Sequence, residues 1–273
     1  MIKRVDNERI GVGFKGIGGL ICGKIMGEYY RVPGGGQKRV EVRRYQQDRR
    51  TCKGEFVMIF QDNVIKEYLK NVYFISGTPC GGKTTISREL AKRHNLLVYD
   101  IDEQFANHKK ISNAVFQPSM NKGFKDADEF FGRTVEEYKE WLIHNTREQL
   151  DFVFLDLIRL SQDKKVLCDC HLTVEEAEKY TEAHRIVFLI KEPSNLVEDY
   201  CNRPDHQGFS DFINSASDIE KAKATCNATL KMLNKKKYDV IKGSNYLWIE
   251  RTPGSTVEKT ISRVEQHFGL ITI

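Results

Sequence analysis

The chain of 273 residues has no run approaching the ~18 consecutive apolar residues that a membrane helix requires, which argues against a membrane span. Its opening residues, Met1-Ile2-Lys3-Arg4-Val5-Asp6, lack the apolar core of a secretory signal, so the expected compartment is cytoplasmic. No CxxC pair occurs among the 7 cysteines (Cys22, Cys52, Cys80, Cys168, Cys170, Cys201 and Cys226), which excludes a zinc ribbon or a thioredoxin-type motif. Cys168-Asp169-Cys170 closes an apolar run and reads as two buried thiols rather than a metal site. There is no internal repeat and no sign of a second globular domain. What remains is an ordinary globular composition, 40% hydrophobic and 30% charged, long enough to bury a full core.

The net charge of +5 is unevenly placed. Residues 1–57 carry 13 Lys and Arg against 6 Asp and Glu, whereas the remainder carries 30 against 32. This first segment is rich in glycine (Gly18-Gly19, Gly34-Gly35-Gly36) and holds the basic pairs Arg43-Arg44 and Arg49-Arg50, without helical or strand periodicity. Gly11-Val12-Gly13-Phe14-Lys15-Gly16 matches GxGxxG but lacks the preceding strand and following helix that a dinucleotide site needs. Three readings of the segment stay open: a basic arm for a polyanion, a tail without function, or a spurious extension, with translation beginning at Met58. The expected organisation is therefore 1–57 as a basic Gly-rich segment and 58–273 as one domain.

From Tyr68 onward strands and helices alternate. Val72-Tyr73-Phe74-Ile75, Leu96-Leu97-Val98-Tyr99, Lys165-Val166-Leu167-Cys168, Arg185 to Ile190 and Tyr246-Leu247-Trp248-Ile249 read as five buried strands. Lys83 to His94 is amphipathic, with Ile86, Leu90 and Ala91 at helical spacing. Thr134 is the expected N-cap of a helix, Gln149 to Leu160 continues helical with an ambiguous Phe152-Val153-Phe154, and Thr173-Val174-Glu175-Glu176 is a capping box. Pro193 suits the first turn of a helix, Phe209 to Lys235 is mostly helical, and the last helix runs from the cap at Ser255-Thr256-Val257-Glu258 to Gly269. The predicted fold class is α/β, a five-stranded parallel sheet sandwiched by helices.

The chemistry centres on Gly77-Thr78-Pro79-Cys80-Gly81-Gly82-Lys83-Thr84, a full match to GxxxxGK[ST] set between a buried strand and an amphipathic helix. Glycines allow the backbone to curl so that its N–H groups converge on phosphates. The following helix adds the positive end of its dipole. Lys83 is expected at the β- and γ-phosphates, the Thr84 hydroxyl on Mg²⁺, and Thr85 near the α-phosphate. ATP and Mg²⁺ are the expected cofactors. No NKxD-type guanine signal is present, although nothing in the residues fixes ATP over GTP.

On these motifs residues 70–270 resemble the P-loop small-molecule kinases of the nucleoside-monophosphate-kinase and shikimate-kinase type. The resemblance implies a P-loop NTPase kinase-type fold with a helical lid, at about 200–212. It implies that Asp100-Ile101-Asp102 is the Asp-x-Asp closing the second strand, with Asp100 supporting the metal and Asp102 holding the acceptor hydroxyl. Helix capping is the alternative for both. Phe131-Gly132-Arg133-Thr134-Val135-Glu136 resembles a substrate-binding region with one residue inserted, making Arg133 a candidate for an anionic substrate group. Asp169 is the candidate second metal carboxylate, while His171 reads as capping or packing. Asn202-Arg203-Pro204-Asp205-His206-Gln207-Gly208 is the candidate lid tip, with Arg203 over the transferred phosphoryl group. Arg251, in Arg251-Thr252-Pro253-Gly254, is the candidate adenine contact. The glycine triplet that binds shikimate in that family is missing near Asp169, which speaks against shikimate itself.

The expected function is thus an ATP- and Mg²⁺-dependent phosphotransferase with a small-molecule hydroxyl or phosphate acceptor. The competing readings are a regulatory P-loop ATPase without an acceptor and an RNA-end kinase using the basic segment. The near-neutral body counts against a nucleic-acid partner.

Overall fold

Strand β1 (Val72–Gly77) is buried along its whole length, as a strand covered on both faces must be. The computed structural model describes residues 62–193 and 207–271. In it, β1 pairs in parallel with β3 (Val166–Asp169) on one side and β4 (Ile186–Ile190) on the other. Strand β2 (Leu97–Asp100) joins outside β3, and β5 (Trp248–Glu250) outside β4. The order is β2-β3-β1-β4-β5, all parallel, which is the five-stranded α/β sheet predicted from the alternation. Strand limits move by one or two residues from the expected ones. The shift matters where β2 extends to Asp100 and β3 to Asp169, because the two carboxylates then face each other in register.

Alternate side chains of the sheet feed two cores. On one face Phe74, Val166, Cys168, Ile186 and Phe188 meet Leu69 and the helices α6 (Val135–Leu160) and α9 (Ile219–Lys242). On the other, Tyr73, Ile75, Leu167, Val187 and Leu189 meet α2 (Lys83–His94) and α10 (Val257–Phe268). Helix α2 buries Ile86, Leu90 and Ala91, the stripe expected of it. Cys168 and Cys170 are both buried free thiols. Helix α1 (Asp62–Tyr68) precedes the first strand.

Local chemistry sets the helix ends. Thr134 caps α6 in a reciprocal box with Glu137, and Thr173 caps α7 (Val174–Tyr180) in the same way with Glu176. Helix α6 runs unbroken for 26 residues. The ambiguity at Phe152-Val153-Phe154 disappears because Val153 and Phe154 face the sheet while the Phe152 ring stacks on His108. Between β2 and α6 lie α3 (Ile101–Ile111), α4 (Pro118–Asn121) and α5 (Ala127–Phe131). The mostly helical segment from Phe209 to Lys235 falls on two helices, α8 (Gln207–Asn214) and α9. The break at Ser217 is held by its N–H on Asp128 at 2.8 Å, and Asp218 then caps α9. Helix α10 is capped by Thr256 rather than Ser255 and ends at Gly269, whose φ of 64° is left-handed.

Residues 1–57 and the helix expected at Pro193 lie outside the described residues or beyond their edge. Among the described residues no helix is long and apolar enough to cross a membrane.

At the end of β1 the chain leaves the sheet at Gly77, with φ 133°. A Cβ there would lie 1.8 Å from the Leu189 carbonyl oxygen of β4. Gly77→Ala is therefore expected to cost at least about 3 kcal/mol through backbone strain and collision. A thermal melt checks it: a midpoint within 2 °C of wild type would mean that β1 and β4 do not approach as closely as described.

Candidate active site

The loop between β1 and α2 is bent by three residues with positive φ: Gly77 at 133°, Cys80 at 59° and Gly82 at 94°. Such alternation turns successive N–H groups inward and makes an anion-binding concavity. The loop is tied down at Thr78, which is fully buried. Its N–H donates to the Leu189 carbonyl at 3.1 Å, its hydroxyl donates to the Lys191 carbonyl at 3.1 Å, and the Lys191 N–H donates to that hydroxyl at 2.8 Å. Gly81 sits equally close to β4, where a Cβ would lie 2.3 Å from the Leu189 oxygen. Helix α2 starts from Gly82 with no side-chain cap, so its first N–H groups stay available to a ligand. Lys83 folds back across the loop, its ammonium donating to the Thr78 carbonyl at 3.2 Å.

Facing this cradle are the carboxyl ends of β2 and β3. Asp169 accepts a hydrogen bond from the Thr84 hydroxyl at 2.7 Å. Burial holds its carboxyl above the ordinary range, against the pull of the Lys83 charge and the Thr84 bond. Asp100, opposite it in the sheet, is likewise raised by burial and then by the Asp169 charge. Asp100 is also the N-cap of α3, accepting the Asp102 N–H at 3.0 Å, so a capping role and a place at the cradle coincide in one residue. Asp102 is solvent-facing, with its Oδ1 at 3.2 Å from Nε2 of His171.

A cleft of about 1200 Å³ opens beside the loop, lined among others by Lys83, Thr84, Thr85, Arg88, Arg251 and Pro253. Arg251 crosses its floor to donate from Nη1 to the Cys80 carbonyl at 3.1 Å. The structure thus brings together Gly77 to Thr85, Asp100, Asp169 and Arg251, while His171 links Asp102 to the end of β3.

Two expectations fare differently. Arg133 was expected to grip an anionic substrate. Instead its guanidinium lies over four rings, 4.3 Å from the centroid of Phe124, 4.5 Å from Phe130, 4.6 Å from Tyr138 and 5.0 Å from Trp141. Its Nε donates to the Phe130 carbonyl at 2.8 Å, and both terminal nitrogens are buried without a hydrogen-bond partner. The quadrupoles of the rings supply the attraction that an anion was expected to supply. Arg203 lies outside the described residues, as does most of the expected lid. Its last part, 207–212, belongs to α8, whose Phe209 and Phe212 pack into the same aromatic cluster.

Sequence reasoning read His171 as capping or packing, and did not single out Lys237; the structure sets His171 against Asp102 and Lys237 against His171. Lys237 sits in α9, 68 positions past Asp169 in the chain, yet its ammonium donates to the His171 carbonyl at 3.1 Å. No local motif marks it. A lysine in a polar helical stretch reads as solvated until the helix is placed against the sheet.

The glycine-bent loop, its lysine and the strand-end carboxylates define a nucleotide-binding P-loop protein, on a five-stranded parallel α/β sheet. A sequence profile of the AAA domain matches residues 74–221, and the chain belongs to that family. No curated protein matches it. Among solved structures it is similar to a candidate kinase from Chloroflexus aurantiacus, at 13% identity over 72% of this chain and 97% of that one, TM-score 0.41. It is also similar to shikimate kinase from Aquifex aeolicus, at 13% identity over 72% and 96%, TM-score 0.35. Dephospho-CoA kinase from Campylobacter jejuni follows at 15% over 74% and 95%, TM-score 0.30.

If Arg133 holds the aromatic cluster together, Arg133→Ala lowers unfolding free energy by about 2 kcal/mol, the order expected of several desolvated cation–π contacts. Nucleotide affinity stays at the wild-type value. Urea titration checks the first and fluorescence of a bound ATP analogue the second. Unchanged stability with lost turnover would return Arg133 to substrate binding.

Proposed function

We propose that the protein is an ATP- and Mg²⁺-dependent phosphotransferase acting on a hydroxyl or phosphate of a small molecule. The observation that carries this reading is one of place. The uncapped N-terminus of α2, the Lys83 ammonium and the Asp100–Asp169 pair lie together at the carboxyl ends of the strands, where Thr84 meets Asp169 and His171 meets Asp102.

In this reading the amides from Gly77 to Thr85 bind the phosphate chain and Lys83 moves from the Thr78 carbonyl to the β- and γ-phosphates. Phosphoryl transfer is mostly positioning and charge neutralisation. The bond from the γ-phosphorus to the β–γ bridging oxygen breaks, its electron pair leaving with ADP, and one from the acceptor oxygen to that phosphorus forms, a hydroxyl acceptor giving its proton to the Asp102 carboxylate. Asp102, steadied by His171, accepts the hydrogen bond of the acceptor hydroxyl and so orients it. Arg251 stacks on the base, and Arg203 covers the reacting phosphoryl group.

The donor set fits Mg²⁺. The Thr84 hydroxyl, Asp169 and Asp100 are hard oxygen donors, and the two carboxylates are raised by burial and by Asp169 acting on Asp100, a cost that a cation would remove. No cluster of three or more His, Cys, Asp or Glu suited to a metal occurs among the described residues. When bound, Mg²⁺ neutralises charge between the β- and γ-phosphates. The proposed domain is 58–273, and the proposed compartment is the cytoplasm.

Lys83→Ala is expected to abolish detectable binding of an ATP analogue while circular dichroism stays unchanged; retained binding would overturn the phosphate cradle. Asp169→Asn is expected to slow Mg²⁺-dependent turnover about a hundredfold, the usual scale for losing one electrostatic group at a transition state. ADP release should rise above its basal rate in a screen of hydroxylated metabolites, nucleosides and nucleotides. A slow hydrolysis that no compound stimulates would favour the regulatory reading instead.

A further inference from the structure

Helix α9 buries Asn234, Tyr238 and Ile241 along one face. Its last turns are pinned to β5: the Tyr238 hydroxyl donates to Glu250 Oε1 at 2.6 Å, and the Lys242 ammonium donates to the Tyr238 hydroxyl at 3.1 Å and to Glu250 Oε2 at 3.3 Å. Lys237 projects from this fixed helix. Lys237 is half-buried, and its ammonium lies against the turn that follows β3. The ammonium donates to the main-chain carbonyl of His171, two residues beyond Asp169. Among the described residues it has no carboxylate within ion-pairing distance, although Glu176 lies near enough to favour its charge. Burial lowers it to about 8, and the next largest contribution to that lowering is the charge of Lys83.

An ammonium has three donors, and a single neutral carbonyl satisfies one of them. Withdrawing such a group from water within the field of a second ammonium costs free energy unless an anion offsets it. A lysine that only packed a helix against a sheet would gain more by pairing with a carboxylate or by turning its head to water. Lys237 has no such carboxylate partner among the described residues, its ammonium is held on a neutral carbonyl, and the charge that acts on it most is that of the P-loop lysine.

We infer that Lys237 is a second phosphate-binding ammonium of the active site, acting with Lys83 on the γ-phosphoryl oxygens as that group passes from ATP to its acceptor. The inference rests on the P-loop phosphotransferase reading. In the transition state charge spreads over the three equatorial oxygens, and a cation already fixed nearby stabilises it without reorganisation. Lys237 donates hydrogen bonds and transfers no proton. The clasp on the His171 carbonyl holds its ammonium in place until the phosphoryl group arrives, and it links the α9 helix to the strand end that carries Asp169.

The test uses the full chain with ATP, ADP and ADP–aluminium fluoride, so no acceptor need be known. Lys237→Met keeps the stem and removes the charge. It is expected to slow single-turnover hydrolysis of ATP about a hundredfold, to leave the ADP dissociation constant within about twofold, since Lys237 acts on the γ-phosphoryl alone, and to prevent trapping of ADP–aluminium fluoride. Lys237→Arg, which keeps the charge, is expected to recover part of the trapping. Wild-type hydrolysis and trapping in a folded Lys237→Met would overturn the inference. So would a parallel loss of ADP affinity and thermal stability that Lys237→Arg does not repair, because the clasp would then be structural. Failure of the reading beneath it looks different: Lys83→Ala would still bind ATP.

Discussion

The site depends on how β1 and β4 are held together at their carboxyl ends. Thr78 is buried and uses its amide and its hydroxyl, as donor and acceptor, on Leu189 and Lys191. Gly77 and Gly81 let the loop lie on the Leu189 carbonyl at a distance that no side chain would permit. With the loop anchored there, the first turn of α2 faces the end of β3, where Thr84 meets Asp169, and its N–H groups carry no side-chain cap. A buried hydroxyl with donor and acceptor roles both satisfied contributes about 1 kcal/mol per bond and adds a defined geometry. Here the geometry is the larger gain.

The acidic side of the site is set by strand register. Asp100 and Asp169 come to the same level because β2 and β3 are paired in parallel and end together. A buried polar network then fixes the start of α3. The Tyr99 hydroxyl donates to Asp156 Oδ2 at 2.9 Å, His108 Nε2 lies 3.1 Å from that same oxygen, and the Gln149 side-chain amide donates to the Ile101 carbonyl at 2.7 Å. Each of these groups would be costly to bury unpaired. Paired, they lock the turn on which Asp100 and Asp102 sit.

Away from the sheet a third core gathers Ala127, Phe131, Tyr138, Ile213, Ala216, Ala222 and Cys226, with Phe130, Trp141, Phe209 and Phe212 packed around it. Arg133 sits among those rings. Helix α6 contributes Tyr138 to this core and Leu157 to the sheet core; α9 contributes Cys226 to one and Ile241 to the other. Two long helices therefore carry the helical layer on the sheet, and the second of them also bears Lys237.

Much of this was legible in the amino-acid order, because it follows from local rules. The strands are short apolar runs, the caps at Thr134 and Thr173 are recognised from residues three apart, and the P-loop is eight consecutive residues whose chemistry is complete in itself. Residue order alone also put Asp100 and Asp169 at strand ends. Tertiary packing decided the rest. Arg133 has the same neighbours in sequence whether it meets an anion or an aromatic box, and only the convergence of α5, α6 and the loop at Phe124 selects the box. His171 and Lys237 take their meaning from Asp102, Lys83 and one another, residues tens to hundreds of positions away. The physical reason is range: backbone hydrogen bonding and hydrophobic period are read within a few residues, whereas the field at a charged group is summed over everything that the fold brings near it.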